Sequence, residues 1–141
     1  MTGVQTCALP ISIIVCDKTR ARANVVAKIQ VIGDVKGKDV VIVDDLVDTA
    51  GTIVMVADQL MRKGAASVRA VCTHGVLSGE AIARIEDSAL TELVVTDTIP
   101  VRASTPKIKV LSVADLFAQS IRSVREFSSI SHLFEVKVKS H

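Results

Sequence analysis

Short apolar runs rich in β-branched residues alternate along this chain with longer stretches in which apolar residues recur every three or four positions. The short runs predict β-strands because each is bounded by turn-forming residues. The predicted strands cover residues 12–16, 30–32, 39–43, 67–72, 93–96 and 108–111. Because the runs are almost wholly apolar, we expect the strands to be buried in a parallel sheet.

The stretches of helical period predict helices over residues 52–63 and 79–87 and a third helix that begins at Ser112. Gly64 follows the first helix, at the position where glycine is favoured after a C-cap. One face of the third helix is apolar and is expected to be buried. That face consists of Val113, Leu116, Phe117, Ile121 and Val124. Alternating strands and helices predict an α/β fold with right-handed crossovers.

Composition narrows the function classes. The 141 residues are 49% hydrophobic but include only three aromatic residues, so we expect one domain with an aliphatic core. The net charge of +2 and the scarcity of aromatic residues argue against a nucleic-acid partner. Charges interrupt every apolar run, which argues against a membrane span. The three cysteines, Cys7, Cys16 and Cys72, do not form a C-x-x-C motif or a disulfide framework. We therefore expect free thiols. Free thiols are typical of the reducing cytoplasm, so we expect a cytoplasmic location.

The first eleven residues differ from the rest of the chain. Residues 1–11 carry no charge and no clear period, and they lack the basic start of a secretory signal. We therefore expect residues 1–11 to be an artefactual leader and residues 12–141 to form the domain.

The most informative motif comes directly after the strand predicted at residues 39–43. Asp44 and Asp45 follow the strand, and the loop that leads into the next helix consists of Asp48, Thr49, Ala50, Gly51 and Thr52. Open α/β sheets bind ligands at the carboxyl ends of their strands. Loop amides, hydroxyls and the helix dipole suit a phosphate monoester. The carboxylates would repel a phosphate but suit sugar hydroxyls or Mg²⁺ held through water.

An ordinary strand-to-helix turn would also select Asp, Thr and Gly in this loop. Two adjacent carboxylates are not needed for such a turn and repel each other, so the motif favours a site for a phosphorylated sugar with a divalent ion.

A second polar segment, residues 17–24, carries Lys18, Arg20 and Arg22 within five positions. A solvated basic loop is one interpretation. The alternative depends on topology: if the strand at 12–16 is parallel to that at 39–43, both loops leave the same edge of the sheet. Lys18 and Arg20 could then stabilise charge on a transferring phosphoryl group.

Six strings together carry a resemblance to a known family. They are Asp-Lys-Thr-Arg-Ala-Arg-Ala-Asn (17–24), Val-Ile-Gly-Asp-Val-Lys-Gly-Lys (31–38), Val-Asp-Asp-Leu-Val-Asp-Thr-Ala-Gly-Thr (43–52), Thr-His-Gly-Val-Leu-Ser-Gly (73–79), Val-Val-Thr-Asp-Thr-Ile-Pro (94–100) and Ser-Ile-Ser-His-Leu-Phe (129–134). The chain resembles the ribose-phosphate diphosphokinases, or phosphoribosyl pyrophosphate synthetases. The phosphate loop alone is shared with type I phosphoribosyltransferases. The flanking loop at 17–24, the Thr-His-Gly segment and the C-terminal Ser-Ile-Ser make the resemblance to the synthetases specific.

This resemblance implies a type I phosphoribosyltransferase-like parallel sheet flanked by helices. It implies transfer of diphosphate from ATP to ribose 5-phosphate with Mg²⁺, giving phosphoribosyl pyrophosphate and AMP for nucleotide biosynthesis. Residues 48–52 would hold the 5-phosphate, and Asp44 and Asp45 the ribose hydroxyls and the water shell of the metal. Lys18 and Arg20 would form the catalytic loop. Ser129 and Ser131 would contact the phosphate of an allosteric nucleotide.

Members of this family have two similar α/β domains and form homo-oligomers. Residues 12–141 correspond to the C-terminal domain, so we expect most of the ATP site to be missing and this chain to be inactive alone. Loss of a paired domain would expose apolar surface and promote association. His74 is expected to make local hydrogen bonds. The alternatives are a non-catalytic regulatory relative of the synthetases and a type I phosphoribosyltransferase.

Overall fold

The computed structural model of this chain describes residues 13, 15–19, 28–101 and 105–134. Their secondary structure alternates strands with helices after an initial pair of strands. In chain order the elements are β1 (Val15–Thr19), β2 (Lys28–Ile32), β3 (Asp39–Val47), α1 (Gly51–Arg62), β4 (Ser67–Gly75), α2 (Ala81–Asp87), β5 (Glu92–Thr96), β6 (Ile108–Leu111), α3 (Ala114–Arg125) and a 3-10 helix (Ser131–Phe134).

A four-stranded parallel sheet forms the centre of the fold, in the order β3-β4-β5-β6. Helix α1 connects β3 to β4, contacts both of them, and also packs against α2. Gly64 has a φ of 91° directly after the C-cap of α1, a left-handed conformation that glycine adopts without strain. The predicted α/β fold with a parallel sheet is confirmed.

One face of the sheet, which we call the closed face, packs against the helices. Val68 and Ala70 of β4 and Leu93 and Val95 of β5 are fully buried there. The apolar side of α1 packs against β4 and is buried at Ile53, Val56, Ala57 and Leu60. The core is aliphatic, as the composition predicted.

The other face, which we call the open face, is largely exposed. It carries Val41 and Val43 of β3, Arg69 and Val71 of β4, Glu92 and Val94 of β5, and Lys109 and Leu111 of β6. Val43 is 79% exposed. The expectation that the apolar run of β3 is buried on both sides is therefore wrong, because the described residues cover only one face.

The burial predicted for the last helix is also wrong. Leu116, Phe117, Ile121 and Val124 of α3 are exposed, and Val113 is half-buried. The helical period of these residues is correct, but a period specifies only which side of a helix is apolar and not which surface packs against it.

The start of α3 is tied to the end of β5 by Asp97. The Asp97 carboxylate accepts a hydrogen bond from Ser112 Oγ at 2.5 Å and another from the Val113 N–H at 2.9 Å. These bonds hold the pKa of Asp97 below its ordinary value, with the Ser112 hydroxyl as the main cause. A residue distant in sequence thus caps α3.

Strands β1 and β2 form a separate two-stranded sheet and are antiparallel. The interpretation of Lys18 and Arg20 as phosphoryl-binding residues depended on a first strand parallel to β3, and β1 does not have that arrangement among the described strands. Only residues 20–27 connect β1 to β2, and eight residues are too few for the crossover that parallel pairing of these two strands would need. Among the described helices, none is long and apolar enough to cross a membrane.

Candidate functional site

The candidate site begins where β3 carries the two adjacent carboxylates. The strand was expected to end at Val43, but it continues to Val47, and Asp44 pairs with Cys72 of β4. Successive residues of a strand face opposite sides, so Asp44 and Asp45 leave the sheet in different directions. Both are exposed, and the Asp44 carboxylate accepts the Asp45 N–H at 2.9 Å.

The loop that follows, from Asp48 to Ala50, leads directly into α1. Ala50 is buried and has φ 60° and ψ 0°, a left-handed conformation that is uncommon for a residue with a Cβ. Such a conformation costs roughly 1–2 kcal/mol and concentrates at ligand-binding loops. The Ala50 carbonyl accepts the Val54 N–H at 3.1 Å and so begins the helix.

Gly51, the first residue of α1, leaves open space at the loop. A Cβ built at this position would meet only Thr49 Oγ1, at 3.9 Å, which is an ordinary contact. Packing within the described part of the chain therefore does not demand glycine here. A close approach by a ligand to the backbone provides a reason for the missing side chain.

The segment after the neighbouring strand β4 forms hydrogen bonds with this loop. The N–H groups of Val76 and Leu77 donate to the Val47 carbonyl at 3.0 and 3.2 Å. The Ser78 N–H donates to the Asp48 carbonyl at 3.0 Å, and Ser78 Oγ donates to the Asp48 carboxylate. The sequence did not predict this contact of Ser78 with the loop. The parallel order of β3 and β4 could have indicated this contact. The segments that follow two adjacent parallel strands lie at the same edge of the sheet.

Arg84 of α2 makes a second contact that the sequence did not reveal. Its Nη1 donates to the Thr49 carbonyl at 2.9 Å, across 35 positions of sequence. Arg84 was expected only to belong to a short helix, and no local pattern indicates that this helix reaches the loop after β3.

His74 joins a chain of hydroxyl groups at the same edge of the sheet. Its Nδ1 is hydrogen-bonded to Thr98 Oγ1 at 2.9 Å, and Thr98 Oγ1 lies 3.0 Å from Thr96 Oγ1. Thr96 Oγ1 in turn donates to the Thr73 carbonyl at 2.7 Å. His74 was expected to make local hydrogen bonds within a loop, but it lies in β4 and its partner Thr98 is 24 positions away along the chain.

The thiol of Cys72 lies behind the acidic pair. Cys72 is buried, and its Sγ donates to the carbonyls of Asp45 and His74 at 3.4 and 3.3 Å. Burial raises the pKa of this thiol, so it stays protonated at neutral pH and is a poor nucleophile. Cys16 and Cys72 are both free thiols, as expected, and Cys7 lies outside the described residues.

The other predicted site residues lie away from this loop or outside the described residues. Lys18 is part of β1, although its side chain is not described, and Arg20 lies outside the described residues. The two serines are brought together: Ser129 Oγ donates to Ser131 Oγ at 2.9 Å and accepts the Ser131 N–H at 3.1 Å. Both serines are exposed. The functional roles of these four residues remain predictions.

Within the ranges that the structure describes, no cluster of three or more His, Cys, Asp or Glu side chains is arranged to hold a metal ion. Asp44 and Asp45 are exposed carboxylates that could hold an ion through its own water ligands. Mg²⁺ binds in this way, through one or two carboxylates together with water and substrate phosphates.

Comparison with known proteins assigns the family. A family model described as "Phosphoribosyl synthetase-associated domain" matches residues 10–135. A ribose-phosphate pyrophosphokinase of Campylobacter jejuni is 53% identical over 126 residues, which are 89% of this chain and 41% of the relative. That of Helicobacter hepaticus is 53% identical over 122 residues, which are 86% of this chain and 40% of the relative.

A solved structure shows the same fold. The crystal structure of phosphoribosylpyrophosphate synthetase from Mycobacterium smegmatis has a TM-score of 0.69 and 41% identity, covering 72% of this chain and 35% of that protein. This chain spans about two fifths of the length of the curated relatives it matches. The match over residues 10–135 confirms the predicted resemblance, and the chain belongs to the phosphoribosyl synthetase-associated domain family.

Proposed function

We propose that this chain supplies the ribose 5-phosphate half of a ribose-phosphate diphosphokinase. Such an enzyme transfers diphosphate from ATP to ribose 5-phosphate, giving phosphoribosyl pyrophosphate and AMP for nucleotide biosynthesis. The observation that carries the proposal is the loop from Asp48 to Gly51. There a strained, buried Ala50 precedes a glycine at which an added Cβ would make only an ordinary contact with the described residues. The names of the similar proteins support the same activity.

In this proposal the 5-phosphate binds at the loop formed by residues 48–52. The start of α1 contributes the positive end of the helix dipole, and Thr49 and Thr52 contribute hydroxyl groups. A small phosphate can approach the backbone closely at Gly51, because no side chain projects there.

The acidic pair is assigned to the sugar and the metal. Because Asp44 and Asp45 leave β3 in opposite directions, they do not form a chelating pair for one bare ion. One carboxylate can accept hydrogen bonds from ribose hydroxyls while the other binds a water ligand of Mg²⁺. When bound, Mg²⁺ would neutralise charge on the phosphate oxygens.

The remaining roles follow from membership in the family. Lys18, which lies in β1, and Arg20, which follows that strand in the sequence, would stabilise the transition state. Ser129 and Ser131 would bind the phosphate of an allosteric nucleotide. ATP would bind mainly to the N-terminal domain of a full-length, homo-oligomeric synthetase. The free thiols of Cys16 and Cys72 are typical of a protein that functions in a reducing cytoplasm.

We expect the 141-residue chain to bind ribose 5-phosphate weakly but to make no phosphoribosyl pyrophosphate. Isothermal titration measures the affinity, and a coupled assay for AMP release measures turnover. Gly51→Val should weaken binding by more than about tenfold, because a branched side chain would occupy the space at the loop. Arg62→Val is the matched control, since it places the same side chain at an exposed position of α1.

Unchanged affinity in Gly51→Val would contradict the assignment of the phosphate loop. Robust synthesis of phosphoribosyl pyrophosphate by the chain alone would contradict the assignment of ATP binding to another domain.

A further inference from the structure

The peptide that joins Thr49 to Ala50 is held in one orientation from the α2 side. Arg84 Nη1 donates to the Thr49 carbonyl at 2.9 Å. In a trans peptide the C=O and N–H groups point in opposite directions, and the described residues contain no cis peptide. The Ala50 N–H therefore points away from Arg84. No backbone carbonyl in the described part of the chain accepts a hydrogen bond from it.

The orientation of this peptide is not the one that the local backbone prefers. Ala50 has a φ of 60°, which is strained for any residue with a Cβ. Rotating the Thr49–Ala50 peptide by about half a turn would bring Ala50 to a negative φ and would reverse the direction of its N–H bond. Type I and type II turns differ by such a rotation of their central peptide. Without an external contact, the strained orientation would therefore be disfavoured.

The segment on either side of this peptide is fixed by other contacts. Ser78 holds Asp48 through both its N–H and its hydroxyl, and the Ala50 carbonyl is held by the Val54 N–H. The bond from Arg84 acts on the Thr49 carbonyl itself.

We propose that Arg84 is a positioning residue that holds the Thr49–Ala50 peptide so that the Ala50 N–H faces the 5-phosphate of ribose 5-phosphate. This inference rests on the proposed function of the loop. Arg84 acts through a directional hydrogen bond and not through its charge alone. Its side chain is 46% exposed, and its ion pair with Glu80, at 4.0 Å, is solvent-exposed and weak.

The test uses the ¹⁵N-labelled 141-residue chain, titrated with ribose 5-phosphate and followed through the Ala50 amide signal. Arg84→Ala removes the bond, and Arg84→Lys restores a donor of similar reach. Arg69→Ala is the matched control, because Arg69 is 45% exposed and pairs with Glu92 at 3.9 Å on the open face. The Ala50 signal of the ligand-free protein reports the peptide orientation, and the titration gives the Kd.

In Arg84→Ala we expect the Ala50 signal to shift or broaden before any ligand is added, and the Kd to rise about tenfold. Arg84→Lys should recover part of both effects, and Arg69→Ala should change neither. The rise in Kd should persist at high salt, since a directional bond is screened less than a distant charge.

An unchanged Ala50 signal and Kd in Arg84→Ala would overturn the positioning role while leaving the proposed function in place. A rise in Kd that high salt abolishes would overturn it too, because the arginine would then act through charge. If the unmodified chain bound no ribose 5-phosphate, the proposed function would fail and this inference with it, and the unmodified chain alone reveals that outcome.

Discussion

The closed and open faces of the parallel sheet are built from alternate residues of the same strands, yet they differ in what covers them. Val68 and Leu93 on the closed face are fully buried beneath the helices, whereas Val43 on the open face is 79% exposed. Hydrophobicity therefore identified the strands correctly but did not reveal which face has a partner. Helices α1 and α3 show the same contrast, since both have an apolar side and only that of α1 is buried.

The largest effect on stability is expected when a leucine on the closed face, rather than one on the open face, is replaced by alanine. Leu93→Ala should destabilise the chain by about 2–5 kcal/mol, because it leaves a cavity in the closed face. Leu111→Ala on neighbouring β6, where the side chain is 58% exposed, should cost less than about 1 kcal/mol. Urea denaturation measures both changes. Equal losses would show that the open face is covered in solution.

The second prediction compares two glycines. A Cβ at Gly75 would lie 3.0 Å from Cγ1 of the fully buried Val95, so Gly75→Ala should cost about 1–3 kcal/mol through overpacking. Gly51→Ala should be neutral or stabilising by about 0.5 kcal/mol, because alanine favours helix and meets only an ordinary contact. Thermal unfolding distinguishes the two variants. Equal stability of both would show that the close approach at Val95 relaxes freely.

The third prediction concerns association through the open face. Val41→Ser combined with Val43→Ser should reduce concentration-dependent association, since these exposed side chains contribute to an apolar patch. We expect a stability change of less than about 1 kcal/mol. Light scattering after size exclusion measures the mass, and Lys109→Ser on the same face is the control. Association that persists unchanged in the double variant would assign it to another surface.

The smallest effect is expected at Asp97, which ties α3 to β5. Since the pKa of Asp97 is lowered in the folded chain, its stabilising contribution is complete above the ordinary aspartate value of 3.8. It is lost as the pH falls below 3.8 through the folded pKa. We expect faster hydrogen exchange at Val113 in that range, while Leu93 on the closed face stays protected. An Asp97→Asn variant should lack this pH dependence, and its persistence there would exclude Asp97 as the cause.

The sequence predicted those features that depend on local pattern and on the order of elements. The strand at residues 108–111 and the start of β4 at Ser67 match the structure, and Gly64 ends α1 as expected. The motif from Asp44 to Thr52 indicated where to look for a site, and the roles of its residues stay predictions.

The remaining features depend on contacts between distant parts of the chain. The antiparallel pairing of β1 with β2, the bond from Arg84 to Thr49 and the cap that Asp97 provides for α3 all join separate elements. No period or spacing in one segment encodes such contacts. For the same reason the prediction of a buried α3 was wrong, because amphipathicity does not specify a partner.

The position of β3 at the margin of its sheet has a further consequence. Within the described sheet β3 pairs only with β4, so β3 is an edge strand of the part of the sheet that the structure describes. Proteins commonly prevent an edge strand from pairing with a strand of another molecule by placing charged residues on it. Asp39, Asp44 and Asp45 put three negative charges on this nine-residue strand. The carboxylates assigned to the sugar and the metal would thus also protect the chain against forming aggregates by strand addition.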